Sequence, residues 1–262
     1  MKKEISALIL TVFLIGFISA AVKNVDINCV NTIPGDDPLC DDAVTYVTIQ
    51  GAIDAVTTVN GDTINVAAGT YIENQILINK ALTIQGAGID SSIIDGSSAT
   101  LVTGGLVRIT TTGNVTFKGF TIKNAGGPTG SGDGADDKYN FGIYTESSSS
   151  LSTYNISNVK ILGTNNPLDV EDYGFYSNSG LESLIFSNNI ISGTGSNPIL
   201  LERHTGPTEV SNNVFDRGVA DGGVDAYFNM NYGGTNINSL QKVHNNTIDM
   251  GNDVGPFDND HR

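Results

Sequence analysis

Tyr144, Tyr176 and Tyr227 fall in matching slots of short repeated segments: Gly142-Ile143-Tyr144-Thr145, Gly174-Phe175-Tyr176-Ser177 and Asp225-Ala226-Tyr227-Phe228. Strand alternation sends Ile143, Phe175 and Ala226 to one face and the tyrosines to the other. Leu200, in Pro198-Ile199-Leu200-Leu201, takes the slot between the last two tyrosines. A row of outward rings offers apolar area with a polar tip, which suits the faces of sugars. The competing expectations are rings packed beneath long loops, or a register one residue out, which exchanges the two faces.

Acids gather near the same segments. Asp133, Asp136 and Asp137 crowd one Gly-rich loop, and Asp169, Glu171 and Asp172 another. Oxygen-rich loops can hold Ca²⁺, which takes six to eight oxygen ligands. No stretch matches an EF-hand loop or a calcium-binding nonapeptide repeat, and solvated acidic loops are the plainer expectation. The expectation is no cofactor, with Ca²⁺ as the alternative. Glu202-Arg203-His204 supplies the other chemical grouping. A polysaccharide lyase needs a base and a cation to neutralise the uronate beside the proton it removes. Arg203 or His204 has that chemistry, with Glu146 or Glu202 nearby. A glycoside hydrolase needs two carboxylates about 5–9.5 Å apart, for which Glu146 and Glu202 are the candidates. The alternative is a polar strand end with no catalytic role.

These residues need a scaffold, and the sequence repeats in a way that specifies one. Strand-like segments Leu106–Ile109, Gly142–Thr145, Gly174–Ser177, Pro198–Leu201 and Asp225–Phe228 open successive units. Segments around Gly119, Asn158, Asn189, Asn213 and Asn246 close them, at intervals of 39, 31, 24 and 33 residues. Such short strands bury their apolar face only by stacking unit on unit. Each strand then lies about 4.8 Å from its counterpart one coil away. Asn at equivalent turns can form amide ladders, so a structural role is expected for the repeated Asn. A helix is predicted over Thr48–Val59, where Ile49, Ala52, Ile53, Val56 and Val59 share one face. It is placed to cap the N-terminal end of the stack. No comparable cap is visible near residues 256–262.

The chain opens with Lys2 and Lys3, an apolar run from Ile5 to Ile18, then Ser19-Ala20-Ala21. This pattern reads as a secretory signal peptide over residues 1–21. The run is shorter than the roughly 20 residues of a spanning helix. Its removal takes Lys2, Lys3 and Glu4, leaving the mature chain one unit more negative than the −15 of the whole. So acidic a chain repels nucleic-acid phosphate and anionic membrane surfaces. In an exported chain, Cys29 and Cys40 are expected to form a disulfide across a Pro/Gly-rich loop. Asn114, Asn155 and Asn245 match the N-glycosylation pattern, a weak signal in an Asn-rich chain.

Thr48-Ile49-Gln50-Gly51-Ala52-Ile53-Asp54-Ala55 is followed by Asp62–Val66, Gly69–Glu73, Leu82–Gly88 and Ser92–Gly96. This order resembles the first coils of pectin-lyase-like right-handed β-helix proteins, pectinesterases among them. The resemblance covers roughly residues 44–126. It implies an all-β, single-stranded, right-handed parallel β-helix with an N-terminal capping helix. The expected organisation is an N-terminal segment over 22–47, the β-helix over 48–255 and a tail over 256–262. The catalytic motifs of pectinesterases and polygalacturonases are absent, so the resemblance transfers a fold and no catalytic residue. The expectation is a secreted or cell-surface monomer that binds a polysaccharide or cell-surface glycan without catalysis. The alternative is a lyase or hydrolase working in a groove.

Overall fold

The computed structural model describes residues 20–29, 45–97, 104–125, 140–146, 152–163, 172–178, 183–193, 198–202, 206–216, 228–232 and 240–249. The architecture is mostly β. All pairings between the described strands are parallel, and the strands form two sheets. This arrangement fits an all-β parallel solenoid. No helix among the described residues is long and apolar enough to cross a membrane.

The chain enters as β1 (Val22–Val25) and β2 (Thr45–Tyr46), crosses the short helix α1 (Ile49–Asp54), then runs β3 (Thr63–Val66), β4 (Gly69–Ile72) and β5 (Ile76–Ile78). From β5 onward it passes alternately between the sheets. The smaller sheet has the order β18 (Phe228–Tyr232), β15 (Ile199–Glu202), β12 (Asp172–Asn178), β10 (Asn140–Thr145), β8 (Val107–Ile109), β5. The spine of the larger sheet runs β19 (Gln241–His244), β16 (Thr208–Ser211), β13 (Ser183–Ser187), β11 (Thr153–Leu162), β9 (Val115–Lys123), β6 (Thr83–Gly86), β3, β1, β2. A side branch carries β20 (Thr247–Asp249), β17 (Val214–Asp216) and β14 (Ile190–Ser192) against the end of β11. A further pair, β4 and β7 (Ser92–Asp95), leads into β9.

Alternation along each strand stacks apolar side chains into columns between the sheets. Val107, Ile143, Phe175 and Ile199 are in register in the smaller sheet, and all are fully buried. Ile84, Phe117, Ile156, Phe186 and Val210 form the matching column of the larger sheet. Ile94, Ile122, Ile161, Ile191 and Phe215 form a third.

The helix is shorter than the predicted Thr48–Val59. Thr48 caps it, its hydroxyl accepting from the Gly51 N–H at 3.1 Å, and Ala55 is already extended with ψ 134°. Val56 is 96% exposed. The β-branched run Val56-Thr57-Thr58-Val59 disfavours continuation. The last helical carbonyls are satisfied from outside: Thr58 donates to the Ala52 carbonyl at 2.7 Å, and Lys80 to those of Ile53 and Ala55. The larger sheet also begins before the expected residue 48, because β1 and β2 join its edge. β1 starts at Val22, and most of the expected signal segment, residues 1–19, lies outside the described residues.

The Asn ladder exists, one residue out of the expected alignment. The turn positions that share a register are Gly119, Asn158, Asn188, Asn212 and Asn245, all with positive φ between 52° and 79°. Gly and Asn hold that conformation more readily than most residues. The ladder itself is made by the next residue in the last three coils. The Oδ1 of Asn189, Asn213 and Asn246 accepts from the backbone N–H of Val159, Asn189 and Asn213, at 2.8–3.0 Å. Their Nδ2 groups donate to the carbonyls of Ile156, Phe186 and Val210. Each carboxamide thus closes two backbone groups of the coil before it, which buried polar groups require.

Candidate functional site

The outer face of the smaller sheet carries the aromatic residues singled out in the sequence. Tyr144 pairs with Tyr176, and Tyr176 with Leu200, while Ile143, Phe175 and Ile199 point into the core. The assignment of faces therefore holds. The rings do not stand free. Tyr144 and Tyr176 are each 8% exposed and form a second apolar cluster with Phe141, Tyr173 and Leu200. Phe141 stacks on Tyr176 at 4.5 Å and on Tyr144 at 5.3 Å, and Tyr144 stacks on Tyr176 at 5.3 Å. Tyr173 and Leu200, at the edge, are half-buried.

Phe141 and Tyr173 were not legible as members of this face, because strict alternation places Phe141 inside with Ile143. Gly142 changes the parity. A Cβ there would stand 2.6 Å from Ile161 Cγ2 and 2.8 Å from the Gly174 carbonyl, so the inward slot admits no side chain. The strand departs from alternation at that point and Phe141 joins Tyr144 outside.

An ion pair borders the cluster. Arg108 occupies the slot one coil before Tyr144. Its Nη2 donates to Glu146 Oε2 at 2.6 Å and its Nε to the same oxygen at 3.2 Å. The guanidinium carbon lies 6.0 Å from the centre of the Tyr144 ring. Both side chains are about one-third exposed, at 29% and 32%. Glu146, a candidate acid, is thus held by a cation outside the set of candidate residues. The signal was present in the sequence, since Arg108 stands in the tyrosine column.

Glu202 closes β15 opposite Asn178. Thr145 pairs with Ser177, so Glu146, Asn178 and Glu202 fall at equivalent positions of three successive coils. That separates the Glu146 and Glu202 backbones by about 10 Å. The expected slot for Tyr227 needs correction. Leu200 pairs with Asn229 and Ile199 with Phe228, so Asn229 succeeds Leu200 in the column. The register is two residues from the expected one, and Tyr227 itself lies outside the described residues. So do Arg203, His204, Cys40 and the proposed Ca²⁺ ligands Asp133, Asp136 and Asp137. Cys29 ends the turn after β1, its N–H donating to the Asp26 carbonyl at 3.1 Å. Among the described residues, no three His, Cys, Asp or Glu side chains are grouped to hold a metal.

One buried carboxylate elsewhere has a clear structural task. Glu73 accepts from the Ile49 N–H at 2.6 Å and the Gln50 N–H at 2.9 Å, closing the first turn of α1. Burial raises its pKa against the lowering effect of those two bonds.

No family model matches the chain, and no curated protein or solved structure is significantly similar to it.

Proposed function

We propose that this chain is an exported, right-handed, single-stranded parallel β-helix of the pectin-lyase-like kind, capped by α1, that binds glycan without turning it over. The observation that carries the binding reading is the aromatic cluster segregated on the outer face of the smaller sheet, with the Arg108–Glu146 pair at its border. A glycan would lie across the coils at the cluster's accessible edge. Tyr173 and Leu200 would contribute apolar contact, and Arg108 and Glu146 would hydrogen-bond to hydroxyls. The stacked Tyr144 and Tyr176 would form the rigid support beneath. Export would pair Cys29 and Cys40 in a disulfide.

The test is incubation of the mature protein with neutral and uronic polysaccharides, with and without Ca²⁺. Retention on a glycan without depolymerisation is the expected result, weakened at least tenfold by Tyr173→Ala or Arg108→Ala. New reducing or unsaturated ends would overturn it. The second reading, a lyase or hydrolase, is favoured by one observation: Glu146 and Glu202 share a register position two coils apart. A turnover abolished by Glu146→Gln or Glu202→Gln would establish that reading.

A further inference from the structure

Asn-X-Ser/Thr triplets start at Asn114, Asn155 and Asn245, and the fold treats the first two in opposite ways. Asn114 stands at the corner where the chain leaves β8 of the smaller sheet for β9 of the larger, one residue before β9 begins. Neighbouring coils hold this corner on both sides. Gly113 lies so close to the coil before that a Cβ on it would stand 2.5 Å from the Ala81 Cβ. Its N–H donates to the Thr111 hydroxyl at 3.2 Å. Toward the coil after, Asn114 Oδ1 accepts from the Thr153 N–H of β11 at 2.9 Å.

The Asn114 carboxamide is thus divided. Its oxygen serves the fold, while its Nδ2 has no hydrogen-bond partner among the described residues and the residue is exposed. Thr116, two residues on, alternates with the buried Val115 and Phe117, so its hydroxyl stands on the outer face of β9. The amide nitrogen and the hydroxyl that the acceptor pattern requires are presented together. A sugar on Nδ2 leaves the amide oxygen in place, so the Thr153 N–H keeps its acceptor. Asn155 differs. It lies within β11, in register with Thr116 of β9 on one side and Ile185 of β13 on the other. Its Oδ1 is buried without a hydrogen-bond partner. A sugar there would stand over strands paired on both sides.

We propose that Asn114 is an N-glycan attachment site and that Asn155 is not. The proposal rests on the export proposed above, because the co-reactant is an oligosaccharide linked through phosphate to a lipid of the exporting membrane. In the transfer, Asn114 Nδ2 forms a bond to the anomeric carbon of the sugar. The bond from that carbon to the phosphate oxygen breaks, and the lipid phosphate leaves with the electron pair. The proton lost from Nδ2 passes to a base of the transferase. The product places a bulky, solubilising group at the corner between the two sheets.

The experiment uses the whole chain with its own residues 1–21, carrying Thr247→Ala, which removes the Asn245 triplet without altering the turn residue. It is produced in cells that export proteins through a membrane bearing an Asn-linked glycosylation system. Mass spectrometry of the monomeric exported fraction reads the N-terminus and the glycan at each Asn. The expected result is a chain beginning at Val22, with glycan on Asn114 in the majority of molecules and none on Asn155. Thr116→Val keeps the branched shape in β9 and should abolish occupancy of Asn114; Thr116→Ser should retain it. A cleaved, exported chain with a bare Asn114, with glycan on Asn155, or with occupancy that survives Thr116→Val overturns the site and leaves export standing. A chain held in the cells with residues 1–21 attached overturns export and the site with it.

Discussion

The two ends of the stack meet the same problem in opposite ways. At the N-terminal end α1 covers the first coils: it buries Ile49, Ala52 and Ile53, Gln50 closes an N–H of β5, Lys80 closes two helix carbonyls, and Glu73 holds the first turn. At the C-terminal end Val243 and Ile248 stand half in solvent, and among the described strands β19 pairs with β16 and β20 with β17. The difference teaches that the coils do not stabilise themselves equally. Each coil is closed by its successor, so interior positions carry large energies and the same residue types at the last coil carry small ones.

The largest effect should come from breaking the seal. Glu73→Ala leaves the Ile49 and Gln50 N–H groups near the core without an acceptor. Charge-assisted bonds of this kind contribute about 1.5–3 kcal/mol each, so a loss of about 3–5 kcal/mol is expected in urea unfolding. Glu73→Gln keeps one acceptor oxygen and should lose less. A Glu73→Ala midpoint equal to the parent's would show that the helix does not seal the stack.

The ladder comes next. Asn213→Ala orphans the buried Asn189 N–H and Phe186 carbonyl, and a loss of about 2–4 kcal/mol is expected. Asn246→Ala removes the equivalent bonds one coil later, where water reaches the edge, and should cost less than half as much. Equal losses would mean that the last coil is covered.

The sharpest comparison uses identical residues in register. Val210 is fully buried and Val243, its partner one coil on, is half exposed. Val210→Ala should cost about 2 kcal/mol and Val243→Ala about half that or less. Hydrogen exchange of β16 and β19 would show the same gradient.

How much of this was legible in the sequence depends on which force decides each feature. The inward columns were legible, because Ile143, Phe175 and Ile199 are large, apolar and regularly placed, and burial alone fixes their face. The length of α1 was not, because Val56 and Val59 continue the helical period while Thr58 and Lys80, from outside the pattern, end the helix. The ladder was legible at Asn189, Asn213 and Asn246, but their alignment with Asn158 was one residue out. In Asn188-Asn189 the first residue holds the positive φ and the second makes the bonds, and composition does not distinguish the two tasks. On the aromatic face the sequence showed Tyr144 and Tyr176 but not Phe141 or Tyr173, since the close approach at Gly142 that moves Phe141 outward is a contact between coils. Arg108 was legible as a member of the tyrosine column, but its pairing with Glu146, 38 residues away, is a contact between coils and was not.

Titration offers the smallest effect and the most direct reading of the sealed end. Burial raises Glu73 above its ordinary 4.5, outweighing its bonds to Gln50 and Ile49. An acid raised in the folded state holds its proton more tightly there than when unfolded. Its favourable contribution is complete below 4.5 and is lost as pH rises through the folded value. Asp95 behaves oppositely. Burial would raise it, but hydrogen bonds from Asn124, Lys123 and Ser97 prevail and hold it at about 2 against an ordinary 3.8. Its contribution is complete above 3.8 and is lost as pH falls toward 2. On acidification from neutrality the urea midpoint should therefore carry a small gain from Glu73 before pH 4.5 and a loss from Asp95 below 3.8. Glu73→Gln should remove only the gain and Asp95→Asn only that part of the loss. If the Glu73→Gln profile runs parallel to the parent's above pH 4.5, Glu73 is not buried against α1, and the contrast between a sealed and an open end fails at its first contact.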